Sequence, residues 1–77
     1  MEKMALKTSN EIGTLIRKLR KQQGVTQEQL AGIANTGTRF ISDLENGKPT
    51  CQVGKLLRAL AALGVEMHIR NPYDKGQ

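Results

Sequence analysis

The stretch that most constrains this 77-residue chain is Gln27 to Gly47, QEQLAGIANTGTRFISDLENG, where two short apolar patterns meet at one reversal. Leu30, Ala31 and Ala34 make one apolar helical face, and Ile41 and Leu44 make the next. Asn35 stands where the chain must reverse, and Asn tolerates a left-handed backbone better than most non-glycine residues. The pattern is two short helices joined by a tight turn. The rest of the chain must hold, pair and charge that unit.

Upstream, Thr8-Ser9-Asn10-Glu11 fits a capping box, in which a hydroxyl takes an early N–H and the Glu reaches back. Ile12, Leu15, Ile16 and Leu19 follow as one stripe of an amphipathic helix, and Gly24 ends it. Arg17, Lys18, Arg20 and Lys21 crowd its last turns, where cations meet the negative end of the helix dipole. Thr26-Gln27-Glu28-Gln29 is a second capping box, opening a helix to about Ala34. Gly37 or Thr36 caps the next helix, which runs to about Glu45 and closes at Asn46-Gly47. Lys48-Pro49 prevents continuation. Thr50 is placed to cap a fourth helix whose apolar face is Val53, Leu56, Leu57, Leu60 and Leu63, with Gly64 at its end.

Then the period changes. Val65, Met67 and Ile69 alternate with Glu66, His68 and Arg70, the two-residue repeat of a strand, and Pro72 stops it. Everything before it reads as helix, so this strand has no partner within the chain, and unpaired backbone groups are unfavourable on an apolar segment. Pairing with the same strand of a second copy resolves this, which predicts a two-fold dimer. A single domain of this size is near the lower limit for folding on its own core. With Phe40 and Tyr73 the only aromatics, that core is aliphatic and small, and dimerisation would enlarge it. The expected organisation is a loose arm over 1–7, a helical unit over 8–64, a dimerisation strand over 65–70 and a polar tail over 71–77.

A formal charge of +5 suits a polyanionic partner such as DNA. The single cysteine, Cys51, permits no internal disulfide and fits a reducing cytoplasm. No apolar run approaches the ~20 residues needed to cross a membrane. His68 has no companions at metal-ligand spacing, and neither a nucleophile–base pair nor a phosphate loop is present. An enzyme, a metal site and a bound cofactor are therefore not expected.

TQEQLAGIA, a short turn, RFISDLENGKP and the following LLRALAALG resemble the lambda-repressor-like helix-turn-helix family, of the Cro/C1 or XRE type. The LGVEMHIRNP ending is similar to that of HipB-type antitoxins. The resemblance implies a mainly α fold: a four- to five-helix lambda-repressor-like bundle with one C-terminal β-strand pairing across a dimer. It further implies a repressor that binds operator DNA in its own promoter and a HipA-like serine/threonine kinase toxin as partner. Asn35, Thr36 and Gly37 depart from the Gly-Val-Ser common in the family; the hydroxyl missing at Gly37 puts one phosphate contact in doubt.

Within this motif Thr38 and Arg39 occupy the first turn of the recognition helix, the part that meets base edges, and Ser42 lies one turn on. Arg39 can pair in bidentate fashion with guanine. Asp43 could accept from a cytosine amine but would repel phosphate. Gln27, Asn46 and Lys48 are the candidate phosphate contacts. Arg20 and Glu45 match the family's ion pair between the first and third helices. Phe40 is expected to pack against the fourth helix or a dimer partner. Val65, Met67 and Ile69 would make the dimer contact. Two other readings stand beside the antitoxin: a stand-alone regulator of the same fold, and a protein-binding module that has lost DNA recognition.

Overall fold

The computed structural model describes residues 6–68 and 71–73. Four helices follow one another: α1 (Ser9–Gln22), α2 (Gln27–Ala34), α3 (Thr38–Glu45) and α4 (Val53–Ala62). Both capping boxes form. The Thr8 hydroxyl accepts from the Glu11 N–H while the Glu11 carboxylate accepts from the Thr8 N–H, and Thr26 and Gln29 do the same for α2. The first residues of α1 and α2 therefore begin where their sequences signal a start.

All four helices also end alike. The residue after the last turn is left-handed, and the N–H beyond it reaches back to a carbonyl five residues earlier. Gly24, Asn35, Gly47 and Gly64 take the left-handed position. Val25, Thr36, Lys48 and Val65 donate to the carbonyls of Arg20, Ala31, Asp43 and Leu60. Three of the four ends use glycine, for which this backbone carries no Cβ penalty. The end of α2 uses Asn35.

The core gathers one fully buried residue from each of the first three helices, Ile16, Leu30 and Ile41, each contributing ~1.5–3 kcal/mol by burial. Ala31, Ala34, Leu44, Leu56, Ala59, Leu60 and Leu63 complete it. Ile12, Leu19, Val25 and Phe40 pack around its edge. At Gly13, α1 and α3 approach so closely that a Cβ would collide with the carbonyl oxygens of Leu44 and Glu45. Gln23 ties the end of α1 to the end of α4, its amide donating to the Leu63 carbonyl at 2.8 Å.

Three expectations from the sequence are corrected. Val65–His68 forms no strand, and no strand exists among the described residues. The Val65 N–H closes α4 and its side chain rests half-buried on this chain's own core, so the segment begins as a helix ending. Glu66 and His68 face one another at 3.2 Å, and Met67 is half exposed. The proposed strand partners Val65 and Met67 thus do different things, while Ile69 lies outside the described residues, as do Met1–Ala5 of the expected arm and residues 74–77 of the tail. Over the described residues the fold is a four-helix bundle, with no strand from which the expected sheet could be built. Second, Thr50 does not cap α4: Gln52 precedes it, with no side-chain cap bond. Third, Val53 and Leu57 are exposed, because α4 turns Leu56, Ala59 and Leu60 inward.

Candidate nucleic-acid interface

The geometry of α3 follows from its periodicity. Ile41, Leu44 and Glu45 point inward, which turns Arg39, Asp43 and Asn46 to the opposite side, with Ser42 on the flank. Thr38 and Arg39 are exposed on the first turn, and among the described residues neither side chain takes part in a hydrogen bond. Ser42 is half-buried beside them. Asn46 is exposed just past the helix. Lys48 lies 3.5 Å from the half-buried Asp43 with its own side chain exposed, a pairing worth little in water.

The inner end of α3 is fixed by charge. Arg20 of α1 meets Glu45 in a two-pronged contact, Nε to Oε2 at 2.6 Å and a terminal nitrogen to Oε1 at 3.0 Å. The remaining Arg20 terminal nitrogen donates to the Val25 carbonyl at 2.9 Å. Burial works against the Glu45 carboxylate, but the bonds from Arg20 and Gln27, with the nearby charge of Arg17, outweigh it and hold its pKa below the ordinary value. Hydrogen bonding to Glu45 raises that of Arg20. The pair joins the first and third helices beneath the exposed face.

Gln27 belongs to this joint. Its amide nitrogen donates to Glu45 Oε1 at 3.1 Å, so the side chain is turned inward and half-buried. An anion at the start of α2 would then meet backbone N–H groups before this side chain. Arg17, Lys18 and Lys21 line the exposed side of α1. Phe40 packs on the core with Lys55 of α4 above its ring, 5.8 Å from the centroid. A shallow groove of about 350 Å³ opens there, bordered by Phe40, Lys48, Lys55 and the exposed Cys51.

Sequence reasoning passed over three residues. Arg58 of α4 donates to the carbonyls of Ala34 and Asn35, Gln23 holds the two helix ends together, and Gly13 permits the α1–α3 approach. An exposed arginine, a polar helix-end residue and a mid-helix glycine carry no local signal of such contacts. Among the described residues no three His, Cys, Asp or Glu side chains gather to hold a metal ion, and no helix is long and apolar enough to cross a membrane.

Residues 11–70 match the model of a helix-turn-helix domain. An uncharacterised HTH-type transcriptional regulator of Sinorhizobium fredii, y4mF, is 49% identical over 70 residues, spanning 91% of this chain and 92% of that protein. A competence pilus inhibition repressor of Acinetobacter baylyi is 54% identical over 37 residues, which is 48% of this chain and 34% of that one. Among solved structures, chains of a HipA–HipB–O2–O3 complex and a HipB–O4 20mer complex superpose with TM-scores of 0.82 and 0.81. Each is 20% identical, covering 91% of this chain and 99% of the other. At that identity the likeness is one of fold.

Proposed function

The chain belongs to this helix-turn-helix family, and from that premise we propose that it is a dimeric, sequence-specific DNA-binding repressor that regulates its own promoter. The observation carrying the proposal is the outer face of α3. Thr38 and Arg39 are uncommitted and exposed there, on a helix whose inner end is anchored by the Arg20–Glu45 pair. In this reading Thr38, Arg39 and Ser42 meet bases in the major groove. Lys48, Asn46 and the start of α2 at Gln27 hold phosphates and fix the register. The net charge of +5 adds the salt-dependent attraction common to such proteins. No step requires a cofactor or a reacting group; the protein acts in the cytoplasm by occupying DNA.

A second copy would double the contacted half-sites and remove from water apolar side chains that one copy leaves exposed, among them Val53, Leu57 and Met67. The finer reading is an antitoxin that also binds a HipA-like kinase toxin; the fold it shares with the chains of the HipA–HipB complex supports it. The 49% identity to a protein described only as a transcriptional regulator supports a stand-alone regulator as the second reading. Co-purification with the product of a neighbouring kinase-like gene separates the two.

Gel shifts on the chain's own upstream DNA, across a salt series, test the function. Selective binding with a steep salt slope is expected. Replacing Arg39 with Ala should cost ~1–3 kcal/mol on that site and relax one base preference. Weak binding that is equal on all DNA would overturn the repressor reading. An unchanged footprint with Arg39→Ala would remove Arg39 from the site.

A further inference from the structure

The turn between α2 and α3 determines where the recognition helix points, yet its own residues hold it lightly. Asn35 adopts φ 57° and ψ 50°, a region that the three other helix ends fill with glycine. Gly37 gives α3 no side-chain cap, and the Thr36 hydroxyl makes only a long 3.4 Å contact with the Gly37 carbonyl. Two of the turn's N–H groups are engaged, Asn35 with Gly32 and Thr36 with Ala31. Among the carbonyls left at the negative end of α2 are those of Ala34 and Asn35.

Both find a partner on α4. Arg58 Nε donates to the Ala34 carbonyl at 2.9 Å, the stronger contact, and a terminal nitrogen reaches the Asn35 carbonyl at a longer 3.4 Å. A guanidinium suits this place: its donors form a rigid fork, and its charge complements the end of a helix dipole. Arg58 is exposed and makes no ion pair among the described residues, so neither burial nor a carboxylate directs it there. One turn earlier on α4, Lys55 sits over Phe40 in the first turn of α3. The fourth helix thus touches both sides of the turn, by the Arg58 guanidinium on one and by Lys55 over the Phe40 ring on the other.

We propose that Arg58 is a positioning residue: by bracing the α2–α3 turn it sets the angle at which Thr38, Arg39 and Ser42 are presented, and so controls base discrimination without touching a base. The inference rests on the DNA-binding reading above. Its test uses the full chain with Arg58→Met, which keeps a long side chain and removes the donors, and Arg58→Lys, which restores charge and one donor. Two quantities are measured. One is the discrimination ratio, the Kd for a duplex carrying one changed base pair under Arg39 divided by the Kd for the promoter site. The other is amide hydrogen exchange over Thr36–Phe40.

Arg58→Met should lower the ratio about tenfold, the scale of one charge-assisted hydrogen bond, and speed exchange at the turn. Arg58→Lys should recover part of both. The lost charge weakens binding to both duplexes alike and cancels in the ratio. An unchanged ratio overturns the proposal and, with lower affinity for both duplexes, assigns Arg58 to a phosphate. If the unsubstituted chain does not discriminate at all, the DNA-binding reading fails by itself. Exchange then decides the bracing alone: faster exchange in Arg58→Met supports it, and unchanged exchange overturns it.

Discussion

The two ends of α3 are held by opposite means. At the carboxyl end, Glu45 is buried, bound by Arg20 and Gln27, and pressed against Gly13 of α1. At the amino end, Gly37 offers no cap, Thr38 and Arg39 stand in solvent, and the preceding turn leans on one exposed arginine. The rigid end is the far one from the candidate base contacts. Such a division lets a small protein fix the recognition helix to its core while leaving the contacting turn free of competing partners. Buried contacts are concentrated at one end and the candidate base contacts at the other.

The sharpest way to break this comparison is to remove the carboxyl anchor. Glu45→Ala leaves the Arg20 guanidinium buried without its partner, and should cost ~3–5 kcal/mol in urea unfolding. Arg20→Met with Glu45→Met should be much milder, since neither charge is then stranded. If Glu45→Ala costs no more than a surface substitution, the pair is not the anchor and the asymmetry is lost.

Next in size is Gly13→Ala. Alanine favours a helix over glycine by about 1 kcal/mol, yet here its methyl would meet two backbone carbonyls that cannot swing aside. Overpacking should dominate, with a net loss of ~1–3 kcal/mol read from denaturant midpoints. The contrast is Gly32, in the middle of α2, where an added Cβ meets nothing within 4 Å. Gly32→Ala should stabilise by ~0.5–1 kcal/mol. Equal effects of the same sign at the two glycines would show that α1 and α3 are not in close approach.

How much of this was legible in the sequence divides along the same line. Rules that act within a few residues could be read directly: the Thr8–Glu11 and Thr26–Gln29 capping boxes and the left-handed Asn35 all form. Contacts set by the meeting of distant elements could not. Val53 and Leu57 belong to an apolar stripe by spacing, but which side of α4 faces inward depends on where α2 lies. The alternation over 65–70 is the pattern of a half-buried strand, and a strand exists only where a partner supplies its hydrogen bonds. Val65 instead spends its N–H on closing α4. At the candidate interface, helical period suffices to set Arg39 outward. It could not show that Gln27 turns toward Glu45, eighteen positions away, or that Arg58 reaches back to Ala34.

Acid provides a gentler probe of the anchor. Because the folded pKa of Glu45 is depressed, its charged form adds stability that is fully present above the ordinary glutamate value of about 4.3. That contribution fades as pH falls through the lower folded value. The stability gap between the natural chain and Glu45→Gln should therefore be constant near neutrality and shrink below about pH 4. A gap that does not change down to the acid transition would mean that the Glu45 carboxylate is not what Arg20 senses.

A modest effect is expected at the amino end, and its sign matters more than its size. Gly37 sits at φ −82° and ψ 153°, a backbone that any residue accepts, with open space where a Cβ would go. Gly37→Ser supplies the missing hydroxyl to the free N–H groups of α3 and reduces the freedom of the unfolded chain. The gain should be a few tenths of a kcal/mol from the cap and ~0.4–1 from the backbone. Amide exchange at Arg39 and Phe40 should slow, with no change at Leu44 and Glu45, at the end anchored by the Arg20–Glu45 pair. If Gly37→Ser leaves exchange at the first turn unaltered, that turn is already fully braced by α4 and the amino end is not the looser one. If it slows exchange and also sharpens base discrimination, the openness of this end limits specificity.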